Sequence, residues 1–232
     1  MSGLAGEAFI AIWHDVAPEG KPDYYEWHNR EHMPERVGIP GFRRGRRYIA
    51  ERGAPEYLTL YEVDSMEVLT GQDYLNRLNN PTPLTRRTVT HIRNVSRSLC
   101  RVAASFGCGQ GGLMMTWGLE AAEGQEESLL RYLRREALPS VFERAGVLGA
   151  HFGVADRSGS EIMTEERKAR GIHTLVPGLV ILVEGISAAG LQAAVEPALG
   201  KADLQSHGAA GDVQWGLYRL ECSRTKTAFT AG

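Results

Sequence analysis

The segment from Trp27 to Tyr48, WHNREHMPERVGIPGFRRGRRY, constrains this chain most, because a degraded copy of its pattern returns about a hundred residues later. His32-Met33-Pro34 stands opposite Ala137-Leu138-Pro139, and Gly38-Ile39-Pro40-Gly41 opposite Gly146-Val147-Leu148-Gly149. The run LYEVDS from Leu60 to Ser65 likewise stands opposite LVEGIS from Leu182 to Ser187. Punctuation repeated at such a distance implies a duplicated supersecondary unit.

The order of elements agrees. In the first half, alternating apolar residues predict strands over 8–16, 42–50, 57–64 and 98–106. Helical patterns fall at 21–37 and 65–79, with a further short helix after Pro81 and Pro83. Pro34 removes a backbone donor inside the first helix and is expected to bend it or end it early. In the second half, strands are predicted over 112–119, 147–155, 179–185 and 213–222, and helices over 125–144 and 187–199. The order β-α-β-β-α-β therefore occurs twice, which makes the fold class α+β with two ferredoxin-like repeats. The repeats are expected at 1–106 and 113–224, joined by a glycine-rich linker at 107–112 and followed by a tail at 225–232. The polar segment 156–174 has no counterpart in the first half and reads as an inserted loop with a helical turn at 164–170. Each antiparallel sheet carries helices on one face, so the two bare faces are expected to cover each other in an intramolecular barrel. Trp13, Tyr61, Trp117 and Trp215 are the expected interior aromatics.

Charge excludes some partners. Lys and Arg total 26 against 28 Asp and Glu, and neither half carries the excess expected of a nucleic-acid binder. No window holds the roughly 18 apolar residues needed to span a bilayer, so no membrane partner is expected. The scattered Cys100, Cys108 and Cys222 suit a reducing compartment, and the expected location is the cytoplasm.

Trp27-His28, Glu31-His32, Pro34, Pro40-Gly41 and Tyr48 form the pattern WHxxEHxP followed by PGxxxxxxY. This pattern resembles the EthD-like branch of the dimeric α/β-barrel superfamily over about 22 residues, with looser agreement over the first hundred. The resemblance implies a ferredoxin-like barrel, here as a tandem duplication in one chain, and a pocket near the histidine matching His32. That histidine is the implied catalytic acid/base, and His28 is carried over as a ligand-contacting residue. The second copy has Tyr132, Leu133 and Ala137 where the first has Trp27, His28 and His32, so any such site exists once per chain.

His28 and His32 share a helix face. Imidazole titrates near neutrality and moves protons without a cofactor, which suits His32 to acid/base work. Its alternative is a structural histidine held by Glu31, Glu35 or a backbone carbonyl. Trp13, Trp27, Tyr48 and Tyr61 complete the candidate substrate-contacting set, the tyrosines as orienters of a substrate oxygen or as packing residues. HxxEH also matches a zinc motif, but Pro34 disturbs the helix and no third ligand stands out, so no metal is expected. Arg43 and Arg47 should face opposite to Arg44 and Arg46, as exposed residues paired with Glu51 and Glu62. His14, His91, His151, His173 and His207 show no ligating spacing and are expected at the surface or in loops.

The functional expectation is a cofactor-free enzyme acting on a small apolar or aromatic molecule by dehydration, isomerisation or oxygenation. The alternatives are a non-catalytic ligand-binding or structural barrel, and a haem protein with His32 or His28 as axial ligand. Either a monomeric barrel or a homodimer of barrels fits the duplication.

Overall fold

A computed structural model describes residues 3–226; of the expected tail, 227–232 lie outside the described residues. Eight strands form a closed antiparallel barrel: β1 (Ala8–Val16), β2 (Phe42–Gly53), β3 (Tyr57–Val63), β4 (Ile92–Phe106), β5 (Leu113–Leu119), β6 (Val147–Ala155), β7 (Leu179–Gly185) and β8 (Gln214–Thr225). Their order around the barrel is β1-β3-β2-β8-β5-β7-β6-β4. The arc β4-β1-β3-β2 and the arc β8-β5-β7-β6 thus run in the same internal order, and the seams between them are the β2–β8 and β4–β6 pairs. A barrel has no free edge strand, and this one closes within a single chain. Among the described residues, no helix is long and apolar enough to cross a membrane.

Period-two alternation sorts the strand residues. Phe9, Ala11 and Trp13 of β1 join Tyr48, Leu58, Leu60, Met114, Leu182 and Tyr218 inside the barrel. Ala8 and Ile10 face outward onto Met33, Val37, Leu69 and Tyr74 of the covering helices. Two of the expected interior aromatics lie outside: Tyr61 packs under the first-half helices and Trp117 under those of the second half. Trp215 is 45% exposed. Trp13 does point inward, and its Nε1 donates to Thr116 Oγ1 at 3.1 Å across the two arcs.

The first helical region runs through α1 (Lys21–Trp27), a π turn at His28–His32, and α2 (Met33–Gly38). The Met33 amide donates to the His28 carbonyl, a five-residue step. Pro34 does not end this region, which continues to Gly38. Its ring would collide with the carbonyl four residues back, and a widened turn relieves that clash. The same device recurs between α6 (Glu126–Tyr132) and α7 (Leu138–Phe142), where a π turn at Leu133–Ala137 precedes Pro139. The expected helix at 65–79 breaks at Gly71 into α3 (Met66–Thr70) and α4 (Gln72–Asn79), and α5 (Pro83–Val89) follows.

The inserted segment carries two helices, α8 (Arg157–Glu161) and α9 (Glu165–Arg170). Thr164 caps α9 by accepting from the Arg167 amide, and Gly171 ends it with φ of 68°. From there the chain returns along β4, where Leu175 exchanges backbone hydrogen bonds with Val95 and Arg97 at 3.0 and 2.8 Å. β4 itself begins at Ile92, earlier than the expected residue 98, because Ile92, Arg93, Ser96 and Arg97 pair with β1. The helices α10 (Ala188–Leu199) and α11 (Lys201–Ser206) complete the second-half cover.

Candidate functional site

A cavity of about 60 Å³ lies on the outer face of β1, β3 and β4, under α1 and the π turn, with α8 and α9 as its lid. The π turn brings His28 and His32 to one side with ring centroids 5.7 Å apart. His32 packs against Trp27 at 4.1 Å between centroids, and Trp27 is itself fixed by donating from Nε1 to Thr85 Oγ1 at 2.9 Å. From the sheet floor come Ile12, His14 and Tyr61, and from the lid Ser160, Glu166 and Arg170.

Arg47 sets the tautomer of His28. Its Nη1 donates to His28 Nδ1 at 3.1 Å and to Asn29 Oδ1 at 2.7 Å, while Nε donates to Glu221 Oε2 at 3.0 Å. A guanidinium only donates, so Nδ1 must accept and the His28 proton resides on Nε2. Burial holds His28 and His32 well below the ordinary imidazole pKa, with Arg47 adding to the effect at His28 and Arg36 at His32. Both rings are therefore neutral at pH 7. His14 behaves alike: burial, then the charge of Arg170, lowers it to about 3. Its Nε2 lies 3.0 Å from Tyr24 Oη.

Several buried polar atoms of this lining lack a hydrogen-bond partner: His14 Nδ1, His32 Nδ1, Tyr61 Oη, Thr174 Oγ1 and Arg170 Nε. Buried polar atoms are paired in the great majority of cases, so such a concentration marks a place where water or a ligand completes the bonding. Chemically, the site offers neutral imidazoles as proton acceptors, a fixed N–H donor at His28, and a positive surround from Arg36 and Arg170.

The sequence-derived residues divide into two groups. His28, His32, Trp27 and Tyr61 meet at the cavity. Trp13 and Tyr48 are fully buried inside the barrel, on the opposite face of the sheet, where the Arg46 guanidinium lies 5.7 Å from the Tyr48 ring centre. Glu31 does not accompany the histidines. Its carboxylate accepts from Thr82 and Thr85 of the α5 cap, at 3.1 Å for Thr85. Among the described residues, no group of three or more His, Cys, Asp or Glu is placed to hold a metal ion.

Sequence reasoning missed His14, Arg36, Glu166 and Arg170. His14 was accessible from alternation, since it shares a face with Ile10 and Ile12. His151, also expected near the surface, is fully buried inside the barrel with its Nδ1 2.7 Å from Ser105 Oγ. The arginine run also differs from the expectation. Arg43 is exposed and pairs with Asp64, whereas Arg44, Arg46 and Arg47 are buried.

No protein-family model matches the chain, and no curated protein does. Solved structures do. An anthrone oxidase-like protein superposes with a TM-score of 0.62 at 13% identity, covering 97% of this chain and 95% of its own. A candidate monooxygenase from Lactobacillus acidophilus NCFM gives 0.57 at 9%, covering 94% and 96%. A heme-binding protein from Thermus thermophilus gives 0.51 at 10%, covering 92% and 91%. These likenesses show the fold, an α+β structure on a closed antiparallel barrel over nearly the whole chain.

A haem does not fit the cavity residues. The free volume of about 60 Å³ is room for a few waters. His28 has its lone pair turned to Arg47 and a proton on Nε2, the nitrogen an axial ligand would need bare. His32 Nδ1 lacks the hydrogen-bond acceptor that orients a metal-bound imidazole.

Proposed function

We propose that this chain is a cofactor-free, EthD-like small-molecule enzyme on a tandem-duplicated barrel, and that His32 takes a proton from a weakly acidic C–H or O–H of an aromatic substrate. The observation that carries this reading is a neutral, buried His32 whose Nδ1 has no partner, packed against Trp27 in an arginine-rich cavity. The repeated strand order and the paired π turns before Pro34 and Pro139 support the duplication.

The proton passes from substrate to the His32 imidazole, leaving an imidazolium and an enolate or phenolate. The His28 Nε2–H and the charges of Arg36 and Arg170 stabilise that anion in a site with little water. The field that depresses the pKa of His32 makes it a weak base toward a neutral ligand. The developing anion compensates the same field, so proton transfer and charge stabilisation reinforce each other. Returned to another atom, the proton completes an isomerisation; passed from the imidazolium to a departing hydroxyl, it leaves as water and completes a dehydration. Anything larger than a few waters enters only if α8 and α9 move outward, because the free volume is small.

The test uses phenylpyruvate, a one-ring 2-keto acid with an acidic benzylic C–H. Deuterium exchange at that carbon, followed by proton NMR in D₂O, is expected to be accelerated by the wild type. The acceleration should fall about 100-fold or more in His32→Ala, the scale of general-base contributions. No acceleration by the wild type, or equal rates for the two proteins with unchanged circular dichroism, overturns the reading.

A further inference from the structure

The cavity lining holds more basic than acidic side chains. Among the cavity-lining residues, Arg36, Arg97, Arg167 and Arg170 stand against the single acid Glu166. Glu166 Oε2 accepts from Arg36 Nη2 at 2.5 Å, and Arg36 Nη1 also donates to Glu35 Oε2 at 3.2 Å. Arg97 donates to Tyr74 Oη at 3.0 Å, and Arg167 to the Glu161 carbonyl at 2.8 Å. Arg170 is different. Its side chain is 10% exposed, its Nη2 stands 3.8 Å from Glu166 Oε1, beyond hydrogen-bond reach, and its buried Nε has no partner.

We infer that Arg170 is the anion-binding residue of this cavity and that the substrates it takes are aromatic acids, with a carboxylate or comparable oxyanion seated on its guanidinium. This deepens the proposed function and rests on that reading for the word substrate. A guanidinium held in low dielectric with an open N–H gains a charge-assisted hydrogen bond from a carboxylate. Burial lowers the pKa of Arg170; the Glu166 carboxylate opposes that shift, and the neighbouring charges of Arg97 and Arg167 add to it. Tyr61 Oη and Thr174 Oγ1, also unpartnered in the lining, are further hydrogen-bonding groups for the acid's second oxygen or for a ring hydroxyl. The aromatic part has Trp27, Leu69, Leu78, Ile92 and Val95 against which to pack. Arg170 ends α9, part of the insertion that has no counterpart in the other half, so the charge preference resides in the lid and not in the barrel.

The test is calorimetric titration of the full chain with phenylacetate and with phenylacetamide, its uncharged isostere, at low ionic strength. The wild type is expected to bind phenylacetate at least about tenfold more tightly. Arg170→Gln should bring the two affinities together, and Arg170→Lys, which keeps the charge, should retain part of the preference. Should Arg170→Gln fail to fold, Glu166→Gln serves instead, because removing the one acid should increase the preference. Equal affinities in the wild type, saturable binding of neither ligand at millimolar concentration, or a preference unchanged in a folded Arg170→Gln overturns the inference. The outcome separates from that of the exchange assay. His32-dependent exchange without anion preference sinks the Arg170 assignment alone, whereas anion preference without exchange sinks the catalytic reading alone.

Discussion

Lowering the pH from about 7 to about 5 is expected to destabilise the folded chain steeply through its buried histidines. His14 and His151 are pulled down to about 3 and about 4 by burial, and His28 and His32 also lie well below the ordinary range. Unfolded, each would take up a proton near pH 6.5. Below that value the unfolded chain therefore binds more protons than the folded one, and unfolding is favoured as pH falls. Their contribution is fully present above about pH 6.5 and is lost progressively toward the folded-state values. Each histidine adds a slope of up to about 1.4 kcal/mol per pH unit, so four add about 5 kcal/mol per unit, against a typical total stability of 5–15 kcal/mol. Carboxylates such as Glu62, whose pKa is lowered by Arg46 and Arg44 against the opposing effect of burial, act only below about pH 4.3. The window between about 4.5 and 6.5 thus belongs to the histidines. Urea denaturation across this window measures the slope, and His14→Gln should reduce it by about one histidine's share. Stability independent of pH from 7 to 5 would show that these rings are not buried and neutral.

Replacing Arg46 with methionine is expected to cost about 3–5 kcal/mol, the penalty for leaving buried charge unpaired. Arg46 joins three strands and both arcs of the barrel. Its Nη1 and Nη2 donate to Glu184 of β7 at 2.9 and 3.0 Å, and its Nε donates to Glu62 of β3 at 3.0 Å. Glu62 also accepts from Arg44 Nε at 2.8 Å, and Glu184 from the Gly111 amide at 3.1 Å. Both carboxylates are fully buried inside the barrel. Without Arg46, Glu184 keeps only a backbone donor in a low-dielectric interior. Neutralising the stranded acid in Arg46→Met/Glu184→Gln should recover part of the loss, because the damage comes from the unpaired charge more than from the missing bond. A single-variant change within about 1 kcal/mol by urea denaturation would contradict this assignment.

Much of the architecture was legible because strands of period two and repeated turns leave local signatures. The split of β1 into Ile10 and Ile12 against Phe9, Ala11 and Trp13 can be read directly from alternation. Which set faces the barrel interior cannot, because helices bury the other face as thoroughly and both sets are apolar. Tyr61 and Trp117 lie on the side opposite to the expected one for this reason. The divided facing of Arg43 and Arg47 against Arg44 and Arg46 was likewise readable. Burial of Arg46 depends on Glu184, 138 residues away, and no local pattern announces such a partner. The candidate site shows the same division. His28 and His32 stand out by spacing, and His14 follows once β1 is given two faces. Arg170 and Glu166 arrive from an insertion in the second half that folds over the first, so only the tertiary structure brings them to the cavity.

We place the functional pocket on the helix-covered outer face of the sheet at His32, and not in the barrel interior. Imidazole ¹⁵N and ¹³C NMR of the wild type, with and without phenylpyruvate, tests it most directly. Neutral rings at about pH 7, a His28 protonated on Nε2, and ligand-induced shifts at His14, His28 and His32 with His151 unchanged are expected. Shifts confined to His151, or a charged His32 in the free protein at that pH, would contradict it.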